Sequence, residues 1–213
     1  MRLRKVANAK QIIESSTYVI NNPKDYKGKY KTLFNNENEI HIEIGMGKGD
    51  FIIEMAKHNK NINFIGIEMY DSVLVRAVQK LENQTLENLK LIRFDATYIE
   101  DIFDREIDQI YLNFSDPWPK NRCKKRRLTS KIFLKRYDKI FKNNCHIIQK
   151  TDNRKLFEFS LISYIEYDYK IKDISLNLHE DEKEIIMSEY EKRFVKMNLP
   201  IYMVEVYKTL HVK

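Results

Sequence analysis

The residues best suited to chemistry begin with Glu43-Ile44-Gly45-Met46-Gly47-Lys48-Gly49-Asp50, three glycines at alternate positions between two acids. The chain has only five Gly, and three of them fall here. Glycines let a backbone pass close to a ligand and let a helix start tightly against a sheet. Further acids end later apolar runs: Glu68, Asp95 (followed by Ala96), Asp116 and Asp152. Any one would be a weak signal; several arriving at one sheet edge would be a constellation.

A dinucleotide fingerprint, G-x-G-x-x-G, would need Gly at position 50, where Asp stands. It would also set a pyrophosphate on the following helix N-terminus, and Glu43 and Asp50 are poor company for one. Two flanking carboxylates suit a cationic ligand such as S-adenosylmethionine, which carries a sulfonium and an ammonium and no phosphate. Glu68 then accepts from the ribose hydroxyls, a role that either cofactor asks of an acid about 20 residues on. Asp95-Ala96 is placed to meet the adenine edge. A tight turn with no ligand is the plain alternative, disfavoured by the coincident acids.

Asn113-Phe114-Ser115-Asp116-Pro117-Trp118-Pro119-Lys120 is the second special stretch: two of the four Pro bracket the only Trp. Prolines fix φ and stiffen a loop. Ten of the 38 Lys and Arg lie between Lys120 and Lys139, beside one acid, Asp138, in a chain of net charge +7. The remainder is close to neutral, so the protein carries one concentrated basic patch, the footprint of a polyanion partner. A lysine-rich solvated face would look similar, but four of the ten are Arg and they abut the rigid loop.

These stretches need elements to position them. Residues 40–44 alternate and run into the glycines as a strand, followed by a helix capped by Asp50 with Phe51, Ile52, Met55 and Ala56 inward. Residues 62–68 form a strand, and Leu74, Ala77, Val78 and Leu81 mark a helix face. Strands follow at 89–94, 107–114, 145–149 and 201–207. Helices are expected over 133–141, from a cap at Thr151 or Asp152 to about 164, and over 189–196. Alternating strand and helix predict an α/β fold, a Rossmann-like, doubly wound, mostly parallel sheet in a single domain, with ligands off the carboxyl strand ends. Residues 1–38 are expected to be a basic, partly ordered extension ahead of a domain spanning 39–213.

Composition narrows the class. Two cysteines in 213 residues make no disulfide framework and point to a reducing cytosol. No apolar run approaches a membrane helix of roughly 18 residues, and the basic start leads into no apolar stretch of the length expected for a secretory signal. The five His are scattered without ligand spacing, so no metal site is expected.

EIGMGKGDF, IGIE and NFSDPWPKNRCKKRRL together resemble the bacterial tRNA (guanine-N7)-methyltransferase family, with Thr151-Asp152 and Ser188-Glu189-Tyr190-Glu191 similar to its later motifs. The resemblance runs from about position 39 onward. It implies the class I S-adenosylmethionine-dependent fold and methylation of N7 of the variable-loop guanine of tRNA, position 46 in tRNA numbering. By position it implies cofactor binding by Glu43, Gly45, Gly47, Gly49, Glu68, Asp95, Ala96 and Asp116, with Asp116 also the catalytic acid. It implies substrate binding by Lys120, Asp152, Ser188, Glu189, Tyr190 and Glu191, and RNA contact by Arg122, Lys124, Lys125, Arg126 and Arg127. The implied partner is tRNA, with the protein a cytoplasmic monomer or homodimer. Cys123 stands where the family usually has His; Ser188-x-x-Glu191 and Asp152 also read as helix caps. The alternatives are a class I methyltransferase acting elsewhere on RNA, or a non-catalytic RNA-binding partner.

Overall fold

The computed structural model describes residues 6–181, 186–187, 189–197 and 199–210. Seven strands form one sheet: β1 (Glu39–Ile44), β2 (Ile62–Glu68), β3 (Leu89–Arg93), β4 (Gln109–Asn113), β5 (Asn144–Thr151), β6 (Lys170–Ser175) and β7 (Tyr202–Thr209). Their order is β3-β2-β1-β4-β5-β7-β6. The first five are parallel, and β7 enters antiparallel between β5 and β6. Chain order reverses between β1 and β4, so a crevice opens there at the carboxyl ends. Glu43, Glu68 and Asn113 end the three central strands, with Asp95 and Asp152 just beyond β3 and β5.

The central strands read as apolar runs because both faces are covered. The helices are α1 (Ala9–Ser15), α2 (Asp50–His58), α3 (Asp71–Leu81), α4 (Lys131–Ile140), α5 (Arg154–Ile165) and α6 (Glu189–Lys196). On α3 the buried face is Leu74, Val75, Ala77, Val78 and Leu81, the expected stripe with Val75 added. Two helices start one residue from the expected cap. Gly49, at φ 77°, takes the cap position of α2 and Asp50 is its first residue. On α5 the cap is Asn153, whose side chain accepts from the Leu156 amide at 2.9 Å, which leaves Asp152 uncommitted.

β6 was not expected: Lys170-Ile171-Lys172-Asp173-Ile174-Ser175 is an edge strand with most side chains exposed, so no buried face patterns its sequence. The segment from Val6 to Asn38 packs on the sheet. Its backbone at 18–20 pairs with Leu91, covering the β3 edge. Tyr30 is fully buried, and the Gly28 and Tyr30 amides donate to the Glu106 carboxylate at 2.8 and 3.0 Å. Contacts between partners 76 and 78 residues apart leave no mark on local patterning. No helix among the described residues is long and apolar enough to cross a membrane.

Candidate active site

A cavity of about 750 Å³ opens at the carboxyl edge of the sheet. Gly45, Glu68, Asp95, Ala96 and Asp116 all line it, so residues up to 71 positions apart meet in one space. Trp118, Lys125, Arg126 and Arg136 line it as well. The lining thus combines acids from the strand ends and the proline loop with cations from the segment after that loop and from α4.

The glycine loop forms the floor. Gly45 and Gly47 have φ 76° and 59°, and open space lies where a Cβ would project from either. A Cβ on Gly49 would stand 2.9 Å from the Ala77 Cβ, so this glycine is the close approach of α2 to α3. Glu68 is fixed by three amides: Oε2 accepts from Gly47 at 3.1 Å, and Oε1 accepts from Met69 and Tyr70 at 2.8 and 2.9 Å. Burial raises its pKa, and Asp116 adds to the rise, against these amides. Asp95 Oδ1 accepts from the Thr97 amide at 2.8 Å, which sets Ala96 into the cavity wall.

Glu43 lies beneath the loop, buried. Its Oε1 accepts from Asn113 Nδ2 at 2.8 Å, while its Oε2 and Asn113 Oδ1 have no hydrogen-bond partner. Burial pushes the Glu43 carboxyl up to about 8, opposed by Asn113 and by Lys150. Asp50 differs: Lys80 Nζ is 2.6 Å from its Oδ1. Of the two acids flanking the glycines, Asp50 is thus paired with a cation, and Glu43 is the one with an unsatisfied oxygen.

The proline loop is strained and clamped. Phe114 and Trp118 have φ 51° and 41°, conformations costly for bulky side chains. Arg127 holds them. Its Nε donates to the Pro117 carbonyl at 2.8 Å and its Nη2 to the Trp118 carbonyl at 3.2 Å. Its guanidinium lies 4.3 Å from the Phe159 ring centroid, and the residue is only 5% exposed. Arg127, expected to contact RNA, turns its donors inward to the loop. Lys120, Arg122, Lys124, Lys125 and Arg126 are exposed, and Arg126 lies 5.0 Å over the Trp118 ring.

Among the described residues, β5 and α6 contribute none to the cavity lining and reach it through Phe114. Asp152 is half-buried, which raises its pKa. Tyr190 packs on Phe114 at 5.0 Å between ring centroids. Glu191, expected to bind substrate, is 1% exposed; its Oε1 is 3.2 Å from Lys150 Nζ and 3.5 Å from His179 Nε2. The inward carboxylate thus ties α6 to β5 through Lys150. Ser188 lies outside the described residues. Asn113, Lys150 and Arg136 escaped sequence reading. Asn113 had the one available signal, the polar end of an apolar strand.

A family model described as "Putative methyltransferase" matches residues 37–204. Curated relatives named "tRNA (guanine-N(7)-)-methyltransferase" match nearly end to end. One from Bacillus velezensis is 49% identical over 97% of this chain and 96% of its own length. One from Lachnoclostridium phytofermentans is 48% identical over 98% and 99%. Among solved structures, "Structure of an Antibiotic Related Methyltransferase" superposes with TM-score 0.64 at 17% identity, covering 88% of this chain and 94% of that one, a likeness of fold.

Proposed function

We propose, because the chain belongs to the tRNA (guanine-N(7)-)-methyltransferase family, that its cavity holds S-adenosylmethionine and that it methylates N7 of guanine in tRNA, at the variable-loop guanine, position 46 in tRNA numbering. One observation carries the reading: Glu68, Asp95 and Asp116 share a single cavity with Lys125 and Arg126. The acids suit a cationic cofactor, and the cations suit a polyanionic substrate.

The residues fit the cofactor. Gly45 and Gly47 leave open the space a Cβ would fill. The unsatisfied oxygens of Glu43 and Asn113 await a donor, which an ammonium or a water beneath it supplies. Glu68 and Asp95 stand for the ribose and adenine. When bound, the cofactor supplies an electrophilic methyl on sulfonium. Guanine N7 carries an in-plane lone pair and no proton, so no general base is required. What remains for the chain is alignment, which can supply about 7–11 kcal/mol, and stabilisation of the positive charge the base acquires. Asp116, exposed in the cavity on a rigid loop, serves that charge or the guanine N–H edge. Lys120, Arg122, Lys124, Lys125 and Arg126 serve the phosphates. Asp152 and Tyr190 form the opposite wall of the substrate site. The reading places the protein in the cytoplasm with tRNA.

The test is incubation with methyl-labelled S-adenosylmethionine and unmodified tRNA, followed by nucleoside mass spectrometry. The expected product is 7-methylguanosine, lost when the variable-loop guanine is replaced. Label on another base would overturn the assignment.

A further inference from the structure

Lys150 is a buried cation with no task in the reaction above. It is the penultimate residue of β5, and its Nζ lies 3.2 and 3.4 Å from the two Glu191 oxygens and 3.4 Å from the Ile186 carbonyl. The Phe51 ring centroid lies 5.5 Å from the same ammonium. Its main chain is engaged as well: the Lys150 carbonyl accepts from the Phe114 amide at 2.9 Å. Phe114 leads the loop that carries Asp116, and its ring packs on Tyr190, the neighbour of Glu191. These contacts close a ring. The loop hangs from the backbone of Lys150, α6 hangs from its ammonium, and the two meet at Phe114 and Tyr190.

We infer that Lys150 is a positioning residue that holds the Asp116 loop and α6 as one unit, so that both walls of the substrate site keep a fixed separation. The inference rests on the methyl-transfer reading above and adds a residue and a device to it. It also gives Glu191 a different task from the substrate contact its motif implies, since its carboxylate is spent on Lys150 and His179. A buried ion pair is weak evidence of stability, because apolar residues of the same shape often hold a fold as well. Its directional bonds instead select one placement of α6 on the sheet. The device sits beside the cofactor's acid: Asn113, adjacent to Phe114, donates to Glu43, and Asn113 and Lys150 are register partners.

The experiment uses full-length Lys150→Met, with hydrogen–deuterium exchange and steady-state kinetics on tRNA. Exchange should accelerate by about tenfold in both 114–119 and 189–197. Turnover at saturating cofactor should fall by a similar factor; cofactor affinity should weaken near neutral pH, because Lys150 also opposes the rise of the Glu43 pKa. Should Lys150→Met fail to fold, Glu191→Gln carries the same test, because it removes the ion pair at constant shape and keeps an acceptor for Lys150. Faster exchange in 189–197 alone, or a rise only in the KM for tRNA, would overturn the inference and return Glu191 to direct contact. The exchange readout needs no activity, so it stands apart from the methylation assay: wild-type protein that made no 7-methylguanosine would sink the proposed function and leave the coupling of the two walls decided.

Discussion

Arg126 and Arg127 are chemically identical neighbours, and the structure gives them opposite tasks. Arg127→Met keeps most of the side-chain volume and removes two charge-assisted hydrogen bonds and the stacking on Phe159. Such bonds contribute about 1.5–3 kcal/mol each, and a partly buried cation–π contact about 1. The freed carbonyls of Pro117 and Trp118 regain water, which offsets much of this, and a net loss of about 2–4 kcal/mol remains. Apart from Arg127, Trp118 has the exposed Arg126 5.0 Å over its ring, so the loss falls chiefly on the order of this left-handed residue and its loop. At about 1.4 kcal/mol per tenfold, turnover should drop by roughly 30- to 1,000-fold. The salt dependence of tRNA binding should keep its wild-type slope. Arg126→Gln should do the reverse: near-normal melting, and a slope shallower by about 0.7–0.9 for one lost phosphate contact. The assay is filter binding over a salt series, beside melting curves and single-turnover rates for both variants. An Arg127→Met protein with a shallower slope and unchanged rate would refute the assignment of its donors to the loop.

Asp116→Asn should lower single-turnover methylation by about 10²–10³-fold with tRNA affinity retained in the same binding assay; equal losses in both would make it a binding residue. For Glu43 the sign follows from its raised pKa. The folded protein favours the protonated carboxyl, so its contribution to stability is full below about 4.5 and is lost as pH rises toward 8. The melting temperature of Glu43→Gln relative to wild type should therefore climb between pH 5 and pH 8, and calorimetry in two buffers should show wild type releasing a proton on cofactor binding near neutral pH. Gly49→Ala places a Cβ 2.9 Å from Ala77 at φ 77°; strain and overpacking together should cost about 2–4 kcal/mol in chemical denaturation.

The sequence marks the site's acids clearly because each ends an apolar run at a sheet edge, where chain pattern and chemistry change together. Glu68, Asp95 and Asp116 are legible for that reason. The contacts that the sequence hides share another cause. Arg127 reads as one more cation in a cationic run, and only the fold reveals that its turn points it at Pro117 and Phe159. Glu191 reads as half of a capping box, while its real partner is Lys150, 41 positions earlier. β6 is hidden because neither face is buried, and the role of residues 6–38 because Glu106 and Leu91 are far along the chain. Local periodicity reports burial; it does not report which distant group a polar side chain meets.

The switch point between β1 and β4 has a kinetic consequence. β1 meets β2, and β2 meets β3, in short βαβ steps, so their loop-closure entropy is small. β1 meets β4 across a longer span of chain, His41 with Gln109, than separates Asn144 from Thr209 or Thr151 from Tyr202 in the pairing of β5 with β7. Non-local pairing of this kind forms late. The crevice between Glu43 and Asn113 should therefore be among the last features to close, so that an incompletely folded molecule grips neither cofactor nor substrate.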